Sequence, residues 1–404
     1  MNASSLPHLK IAFVATRDLS QFGGRTPIQA HIIRALKRHH LLDILQLRPV
    51  SRRQMAGAAW FWLSSVLAGR PLPLQCLLYS GPAEAARLVA EIRDGEYDAV
   101  YLDTVRCQIL LRELRRDLPD LHIVADFDDL MSRRAAFLAR NNLPFLSGHV
   151  GSHFPRWLRF LIEVPLARLI TFYEALTLPA AEREVVNNAD MTVLLSGLEA
   201  RLLEQRAGGL VRSILPGIAM QAPAWRATDE LRFVFIGSDR QMQNRTAIDH
   251  LLTLWREANP KAALHIYGRQ GRVLPDIQGI VWHGFVEDLA EVYQPGSIAL
   301  VPAMVAGGIK TKVLEAWSHG CPVLGNDTAF EGLDIGDYPL SIPAQEWAPL
   351  LRDPASYAHL WVRAARLGHD FVEETLTPAR FETAWEQAML PAFSPAVSLL
   401  QILG

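Results

Sequence analysis

The sequence predicts an α/β protein with two doubly wound, Rossmann-like domains that face a central cleft. Short apolar runs followed by longer helical patterns recur from end to end, which is typical of βα units and a parallel sheet. The series is interrupted by "ILPGIAMQAPAWRATDE" (214–230), where Pro, Gly and polar residues follow one another without a period, and it then restarts. A length of 404 residues suits two large domains.

The first half of the chain contains five predicted strands, of which "KIAFVAT" (10–16) is the first. A loop with Gly23 and Gly24 follows, and then an amphipathic pattern predicts a helix from Thr26 to about His39. The other strands are "LDILQL", "YDAVYLD", "LHIVADF" and "ADMTVLLS". We therefore predict an N-terminal domain over residues 1–218.

The second half shows the same alternation of apolar runs and helical patterns, but its sequence is not a repeat of the first half. Its predicted strands are "LRFVFIGS", "ALHIYG", "IVWHGF", "IALVPA" and "CPVLGN", and "TAIDHLLTLWREAN" predicts a helix after the first of them. This gives a second domain over residues 229–375. Residues 376–404 follow as a helix, a proline break and an apolar tail.

Composition and charge exclude several classes of protein. Half of the residues are hydrophobic and the formal net charge is −2, as in an ordinary globular chain. Cys76, Cys107 and Cys321 lack the spacing of metal ligands or of a disulfide framework, which indicates a reducing compartment. No window has the apolar length of a spanning helix and no leader pattern opens the chain, so we expect a cytoplasmic protein.

A basic segment over residues 48–70 predicts contact with the inner face of the cytoplasmic membrane. The stretch "SRRQMAGAAWFWLSSVLAGRPLPL" predicts a short helix that combines Arg52 and Arg53 with the apolar residues Trp60, Phe61, Trp62, Leu63, Val66 and Leu67. Basic residues beside an aromatic face suit an anionic membrane surface. The alternative is a core helix with solvated arginines. Nucleic acid is a poor partner, because the basic segment is short and the chain is acidic overall.

The loop after "IALVP" has the composition of an anion site. Gly307 and Gly308 stand before a predicted helix, where exposed backbone amides bind anions and the absence of side chains allows close approach. Lys310 and Lys312 add positive charge at that helix end, which an anionic ligand would compensate. We interpret the loop as a diphosphate site; a glycine-rich turn with two solvated lysines is the alternative.

Two further groups follow the same logic. Glu315 lies on the helix that leaves the anion loop, where a carboxylate can accept hydrogen bonds from two vicinal hydroxyls, as a ribose offers. Gly237, Ser238 and Arg240 directly follow the strand "FVFIG" and again have the composition of a phosphate cradle.

These motifs resemble one known family. The order FIGS, N, AI, L, then YG, HGFVEDL and VPAMVAGGIKTKVLEAWSHGCPVLGND resembles the donor domain of family 4 glycosyltransferases, which have the GT-B fold. In the first half, "GG" at 23–24, "VADFDDLMSRR", "FYEAL", "TVLLS" and "ILPGIAM" look like landmarks of that family in matching order. The resemblance covers nearly the whole chain, and residues 309–322 are its most specific part.

The resemblance implies transfer of a sugar from a nucleotide-diphosphate donor to an acceptor hydroxyl, with retention at the anomeric carbon and no bound metal. It implies that Glu315 holds the donor ribose, and that Lys312 or Arg240 neutralises the diphosphate. The Gly307 and Gly308 loop would approach the donor sugar or its phosphates. Residues 376–404 would cross back to the N-terminal domain. By analogy, the acceptor is a glycan or a lipid-linked glycan of a bacterial surface polysaccharide or glycolipid.

The chain departs from the family pattern at two places. Many members carry a Glu where this chain has Gly307, so carboxylate recognition of the donor sugar is missing or replaced. The Arg and Lys that often follow the Gly237-type loop are reduced to Arg240, and Lys310 or Lys312 would take over their role.

The most acidic strand end is "ADFDDL". Family members often carry a histidine or an acid here, so Asp128 is the candidate for orienting or deprotonating the acceptor hydroxyl. For Asp126 and Asp129, capping of the next turn is the alternative. Asp126-Phe127-Asp128 also matches the Asp-x-Asp pattern by which another glycosyltransferase fold holds a divalent metal.

The site prediction is therefore Asp128 and Lys312 as catalytic residues, without a metal or other cofactor. The predicted substrate-binding residues are Gly23, Gly24, Gly237, Ser238, Arg240, Gly307, Gly308, Lys310, Lys312 and Glu315. Two other functions stay open. One is a nucleotide-sugar 2-epimerase, which needs no acceptor, and the other is a non-catalytic sugar-nucleotide-binding protein.

Overall fold

The computed structural model describes residues 7–16, 25–143, 156–223, 225, 230–272 and 275–391, and over 156–164 it describes the backbone alone. Residues 1–216 together with 379–404 form one compact unit, and residues 217–378 form the other. We call these the N-terminal unit and the C-terminal unit. The sequence-based domains ended at 218 and 375, near these divisions.

The N-terminal unit is built on a parallel sheet. Its six described strands are β1 (Lys10–Ala15), β2 (Leu41–Gln46), β3 (Ala99–Asp103), β4 (His122–Asp126), β5 (Met191–Leu194) and β6 (Val211–Ser213). Their order is β2-β1-β3-β4-β5-β6. Every residue of β3 and β4 is buried, whereas β2 at the edge exposes most of its residues. Continuous apolar runs are what a parallel sheet covered on both faces requires.

Helices lie between these strands. They are α1 (Thr26–Leu36), α2 (Met55–Leu67), α3 (Leu74–Tyr79), α4 (Pro82–Asp94), α5 (Gln108–Asp117), α6 (Met131–Arg140), α7 (Arg156–Asn188) and α8 (Gly197–Ala207). The predicted first helix is present, and Pro27 stands in its first turn, where a missing amide hydrogen is tolerated. A large apolar core joins the strands to α4, α5 and α7. Among the described helices, none is long and apolar enough to cross a membrane.

The C-terminal unit has a second parallel sheet. Its described strands are β7 (Arg232–Ile236), β8 (Leu264–Tyr267), β9 (Ile280–Trp282), β10 (Ser297–Val301) and β11 (Val323–Gly325), in the order β11-β10-β7-β8-β9. All five coincide with predicted apolar runs. The helices are α9 (Met242–Ala258), α10 (Thr311–Ser318), α11 (Ala348–Arg352) and α12 (Ala358–Thr375). The prediction of an α/β fold with two parallel sheets is confirmed.

Close packing fixes the position of α10. Trp317 on α10 is fully buried, and Gly368 of α12 lies against its ring. A Cβ atom at Gly368 would lie 2.2 Å from Cδ1 of Trp317, so only glycine allows this approach. The Nε1 of Trp317 also donates to the Tyr338 hydroxyl at 3.1 Å. The helix that carries the predicted anion site is therefore held rigidly against α12.

The last described helix, α13 (Pro378–Met389), returns to the N-terminal unit from residue 379 onwards. The Trp385 ring lies 5.6 Å from the Tyr101 ring, measured between centroids. The Nε2 atom of His122 lies 3.0 Å from the Ala388 carbonyl oxygen. These contacts seat α13 on β3 and β4. The rest of the predicted C-terminal tail, residues 392–404, lies outside the described residues.

Candidate active site

In doubly wound sheets, ligands bind beyond the carboxyl ends of the strands, where the strand order reverses. In the C-terminal unit that point lies between β7 and β10. The loop after β7 carries Gly237, Ser238 and Arg240, and the loop after β10 carries Gly307, Gly308 and Lys310. The structure thus brings both predicted loops to the same edge of one sheet.

Two glycines let the loops after β7 and β8 touch. Gly268 has φ +123°, and a Cβ atom there would lie 2.6 Å from the Gly237 carbonyl oxygen. Hydrogen bonds tie the same loops together: Gln270 Nε2 donates to the Gly237 oxygen at 3.2 Å, and Ser238 Oγ donates to the Arg269 oxygen at 2.6 Å. The cradle is therefore assembled from two strands, and the Ser238 hydroxyl helps to build it.

The charged residues after β7 divide into two roles. Asp239 is buried and accepts a hydrogen bond from the Gly271 amide at 2.6 Å, so it fixes the loop. The next residue, Arg240, is exposed, and its backbone amide donates to Ser238 Oγ at 3.4 Å. Its guanidinium is accessible to an anion from solvent.

Lys312 links the two loops that flank the reversal point. Its Nζ donates to the Ile236 carbonyl oxygen and to Asn244 Oδ1, both at 3.0 Å, and lies 4.7 Å from the centre of the Phe235 ring. These acceptors are neutral, so they orient the ammonium without cancelling its charge. Burial lowers the pKa of Lys312 to about 8, and the Glu315 carboxylate opposes this shift.

Asn244, which the site prediction omitted, is the second anchor of this arrangement. It lies in the first turn of α9 and is buried. Its side chain packs against Gly237, where an added Cβ atom would lie 2.8 Å from Asn244 Cγ. Its Nδ2 donates to the Ser238 carbonyl oxygen at 3.2 Å while its Oδ1 receives Lys312. The only signal in the sequence was the Asn that follows FIGS in the motif order.

Glu315 lies one helical turn after Lys312, so both side chains share a face of α10. It is half-buried. Burial raises the pKa of Glu315, and the Lys312 ammonium opposes the shift. The predicted pair of a phosphate cation and a ribose carboxylate is thus brought together on one helix.

Lys310 is placed differently from Lys312. It precedes α10 and its Nζ donates to the Gly307 oxygen at 2.6 Å and the Gly308 oxygen at 3.2 Å. Both glycines have positive φ, +102° and +67°. The Lys310 ammonium therefore folds back onto the glycine loop and stabilises its shape, and the Gly307 amide donates to Glu331 Oε2 at 3.1 Å.

In the N-terminal unit, the acidic strand ends surround one arginine. Arg25, which directly precedes α1, contacts three carboxylates: Asp103 at 3.0 Å and Asp126 and Asp128 at 2.9 Å each. Burial alone lowers the pKa of Arg25, but these carboxylates raise it well above its ordinary value, so the guanidinium stays charged. Gly23 and Gly24 lie outside the described residues.

Asp126 and Asp128 differ in accessibility. Asp126 is buried, accepts a hydrogen bond from the Tyr101 hydroxyl at 2.6 Å, and accepts the Asp128 amide at 3.1 Å. Asp128 has a left-handed backbone, with φ +65°, and 28% of its side chain is exposed. Burial raises the pKa of Asp128, and Arg25 opposes this. Asp128 is the member of this cluster that a substrate can reach.

Asp129 has a structural partner. It is buried, and its carboxylate forms an ion pair with Arg134 on α6. With Asp126 turned toward Arg25 and Tyr101, the space between Asp126 and Asp128 holds a guanidinium. This arrangement disfavours the interpretation of Asp126-Phe127-Asp128 as a metal site.

Comparisons with known proteins agree with this architecture. Residues 230–349 match the family model described as "Glycosyl transferases group 1". The sucrose-phosphate synthase of Thermosynechococcus elongatus has a TM-score of 0.64 at 13% identity, covering 98% of this chain and 100% of that chain. HepE of Anabaena, solved with UDP-glucose, has a TM-score of 0.60 at 12% identity and covers 94% and 98%.

The lipopolysaccharide outer core galactosyltransferase WaaB gives a TM-score of 0.53 at 13% identity, covering 93% of this chain and 99% of that chain. No curated protein matches the chain in sequence. At these identities the likeness is one of fold, and it extends over almost the full length of the chain. The predicted GT-B fold is confirmed.

Proposed function

We propose that this chain is a glycosyltransferase of the family 4 type, which transfers a sugar from a nucleotide-diphosphate donor to an acceptor hydroxyl with retention. The observation that carries the proposal is the position of Lys312. Its ammonium is anchored by neutral acceptors at the reversal point between β7 and β10, one turn from Glu315 and beside two glycine loops. The match of residues 230–349 supports the same function.

The chemistry follows from these charges. When the glycosidic bond to the donor breaks, negative charge grows on the leaving diphosphate, and a preorganised cation in a partly desolvated site stabilises it. Lys312 provides that cation, with Arg240 at the exposed rim. Glu315 would accept hydrogen bonds from the two ribose hydroxyls. On the acceptor side, Asp128 would orient the attacking hydroxyl and take its proton.

Calorimetric titration tests this function. The purified protein is titrated with UDP, GDP and ADP, first with EDTA and then with Mn²⁺. We expect one nucleoside diphosphate to bind without metal, which would also identify the base of the donor. Binding that needs Mn²⁺ would favour the Asp126 and Asp128 metal site. Gly307 in place of a Glu favours the non-catalytic alternative. That alternative is correct if a nucleotide sugar binds but no acceptor leads to its consumption.

We further propose that the enzyme is cytoplasmic and contacts an anionic membrane through α2, with a lipid-linked glycan as acceptor. Trp60 and Leu67 on α2 are 70% and 77% exposed, and the exposed Arg52 and Arg53 precede them. Trp62 of the same helix donates to the Tyr173 hydroxyl at 2.8 Å, which joins α2 to α7. On α7, Leu169, Phe172 and Leu176 form an exposed apolar stripe at helical spacing.

Vesicle sedimentation tests the membrane contact. The double variant Trp60→Ser, Leu67→Ser is expected to bind phosphatidylglycerol vesicles about ten-fold more weakly, because two apolar side chains no longer enter the interface. The matched control is Leu41→Ser, which removes a 59%-exposed leucine from the edge strand β2. An equal loss of vesicle binding in the double variant and in Leu41→Ser would contradict the proposal. So would wild-type binding to neutral phosphatidylcholine vesicles that equals its binding to phosphatidylglycerol vesicles.

A further inference from the structure

The backbone at Gly307 excludes the carboxylate that the family resemblance predicts there. Its φ of +102° is a conformation that residues with a Cβ atom rarely adopt, and the next residue, Gly308, has φ +67°. A glutamate at position 307 would be strained in this loop. The absence of the side chain is therefore part of the loop's conformation, and any carboxylate at this place would come from another segment.

Glu331 brings a carboxylate to that place. It belongs to the segment after β11, the neighbour of β10 in the sheet, and its Oε2 accepts a hydrogen bond from the Gly307 amide at 3.1 Å. On the other side of the same residue, Lys310 Nζ donates to the Gly307 oxygen at 2.6 Å. Gly307 is thus held between a carboxylate and an ammonium. Glu331 is half-buried, so the residue is not closed off from solvent.

We propose that Glu331 recognises the hydroxyl groups of the donor sugar in place of a glutamate at position 307. A carboxylate has two acceptor oxygens, and one of them can hold the Gly307 amide while the group still accepts from a sugar hydroxyl. Hydrogen bonds from hydroxyls to a charged acceptor in a partly desolvated site are strong enough to select a polyhydroxylated ligand. This assignment rests on the proposed function, because it concerns the sugar half of the same donor.

The variant Glu331→Gln separates sugar recognition from loop structure. Glutamine keeps the length of the side chain and an oxygen for the Gly307 amide, but it loses the charge and one acceptor oxygen. The matched control is Asp334→Asn, the same loss of charge at an exposed position three residues later. Circular dichroism and thermal unfolding establish that both variants fold, and Glu331→Asp serves as a second variant that keeps the charge.

Calorimetry then compares each nucleoside diphosphate with its nucleotide sugars. The ligands are UDP, UDP-glucose, UDP-galactose and UDP-N-acetylglucosamine, together with GDP, GDP-mannose, ADP and ADP-glucose. For the base that the wild-type protein binds, we expect Glu331→Gln to change affinity for the diphosphate by less than about two-fold. Affinity for the preferred nucleotide sugar should fall by about ten-fold or more. The affinity of Glu331→Asp for the nucleotide sugar should lie between those of the wild type and Glu331→Gln. Asp334→Asn should bind both ligands as the wild type does.

Three results would overturn the assignment while leaving the proposed function intact. A parallel loss for the diphosphate and the nucleotide sugar would mean that Glu331 only shapes the loop. Tighter binding of the diphosphate by Glu331→Gln would mean that the carboxylate occupies the phosphate position in the free protein. A wild-type protein that gains no affinity from any sugar would leave no sugar contact to assign. If the wild type binds no nucleoside diphosphate, the proposed function fails together with this inference.

Discussion

Arg25 and Lys312 are both cations at the carboxyl ends of parallel strands, one in each unit, yet their surroundings are opposite. Arg25 is buried and meets three carboxylates within 3.0 Å. Lys312 is half-buried, and the two atoms that hold its ammonium are a carbonyl oxygen and an amide oxygen. The first cation is neutralised inside its unit, whereas the second keeps its charge and is aimed by neutral partners.

This difference teaches how to distinguish a structural cation from a ligand-binding one. A cation that is surrounded by anions has little attraction left for a ligand, and removing it leaves buried charge behind. A buried cation that is oriented by neutral acceptors lowers the stability of the free protein, because its charge is partly desolvated. Binding of an anion restores that stability. Substitutions at the two positions should therefore affect different quantities.

The largest effect is expected from Arg25→Met. Removal of the guanidinium leaves Asp103, Asp126 and Asp128 without their shared cation, and the free energy of unfolding at pH 7 should fall by about 3 to 5 kcal/mol. Urea denaturation measures this loss. The control Arg34→Met, an exposed arginine on α1, should change the free energy by no more than about 0.5 kcal/mol.

The Arg25→Met penalty should also be smaller at pH 5 than at pH 7. Unpaired buried carboxylates have a pKa above that of the unfolded chain, so their folded state is favoured at low pH and loses stability as the pH rises. A penalty that is equal at both pH values would show that Arg25 does not act through these carboxylates.

Lys312→Met should weaken binding of the preferred nucleoside diphosphate by about 10- to 100-fold, because a charged hydrogen-bond donor to the phosphates is lost. Thermal stability should change little. Lys310→Met is expected to have a smaller effect on affinity, since that ammonium is bound to the glycine loop. Calorimetry compares the affinities of these variants, with Lys261→Met as a control at an exposed position. Equal losses of affinity at 310 and 312 would contradict the different roles of the two lysines.

The affinity for the diphosphate should fall as the pH rises above about 8. Burial lowers the pKa of Lys312 to about 8 in the free protein, and a bound anion favours the charged form, so binding near this pH takes up a proton. The loss should reach at most about ten-fold per pH unit. In Lys312→Met the dependence should disappear over pH 7 to 9, and a slope that remains would point to another group.

The smallest effect concerns Glu315 and the ribose. The wild-type protein should prefer a ribonucleoside diphosphate over its 2′-deoxy form by about five-fold, because the carboxylate accepts a hydrogen bond from the 2′-hydroxyl. In Glu315→Ala the two ligands should bind equally. Calorimetric titration of both proteins with both ligands gives the four affinities to compare. If Glu315→Ala still prefers the ribonucleotide, the ribose binds elsewhere.

Most of the strands were predicted correctly because their residues are buried and so appear as continuous apolar runs in the sequence. β6 (Val211–Ser213) escaped prediction, since it has three residues and exposes two of them. The helix of the anion site begins at Thr311, so Lys310 precedes the helix and Lys312 lies on it, and this boundary separates the roles of the two lysines. Spacing along the sequence could not reveal it.

The partners of the site residues were harder to predict because they are distant in sequence. Lys312 meets Asn244 across 68 positions, and Arg25 meets Asp126 across 101. Sequence alone predicted that Asp126 and Asp128 were charged strand-end residues, but it gave no sign that an arginine lies between them. Glu331 was missed for the same reason, since its contact with Gly307 depends on the adjacency of β10 and β11.

The contact between Gly237 and Gly268 has a consequence for how this protein can evolve. Since a Cβ atom at 268 would lie 2.6 Å from the Gly237 oxygen, neither loop can change its backbone without the other. Substitutions that change ligand preference are then expected at residues outside this contact. Examples are the exposed Arg240 and residues of the segment that carries Glu331. The glycine pair constrains the backbone of both loops, and we expect relatives that keep this contact to differ mainly in the segments around it.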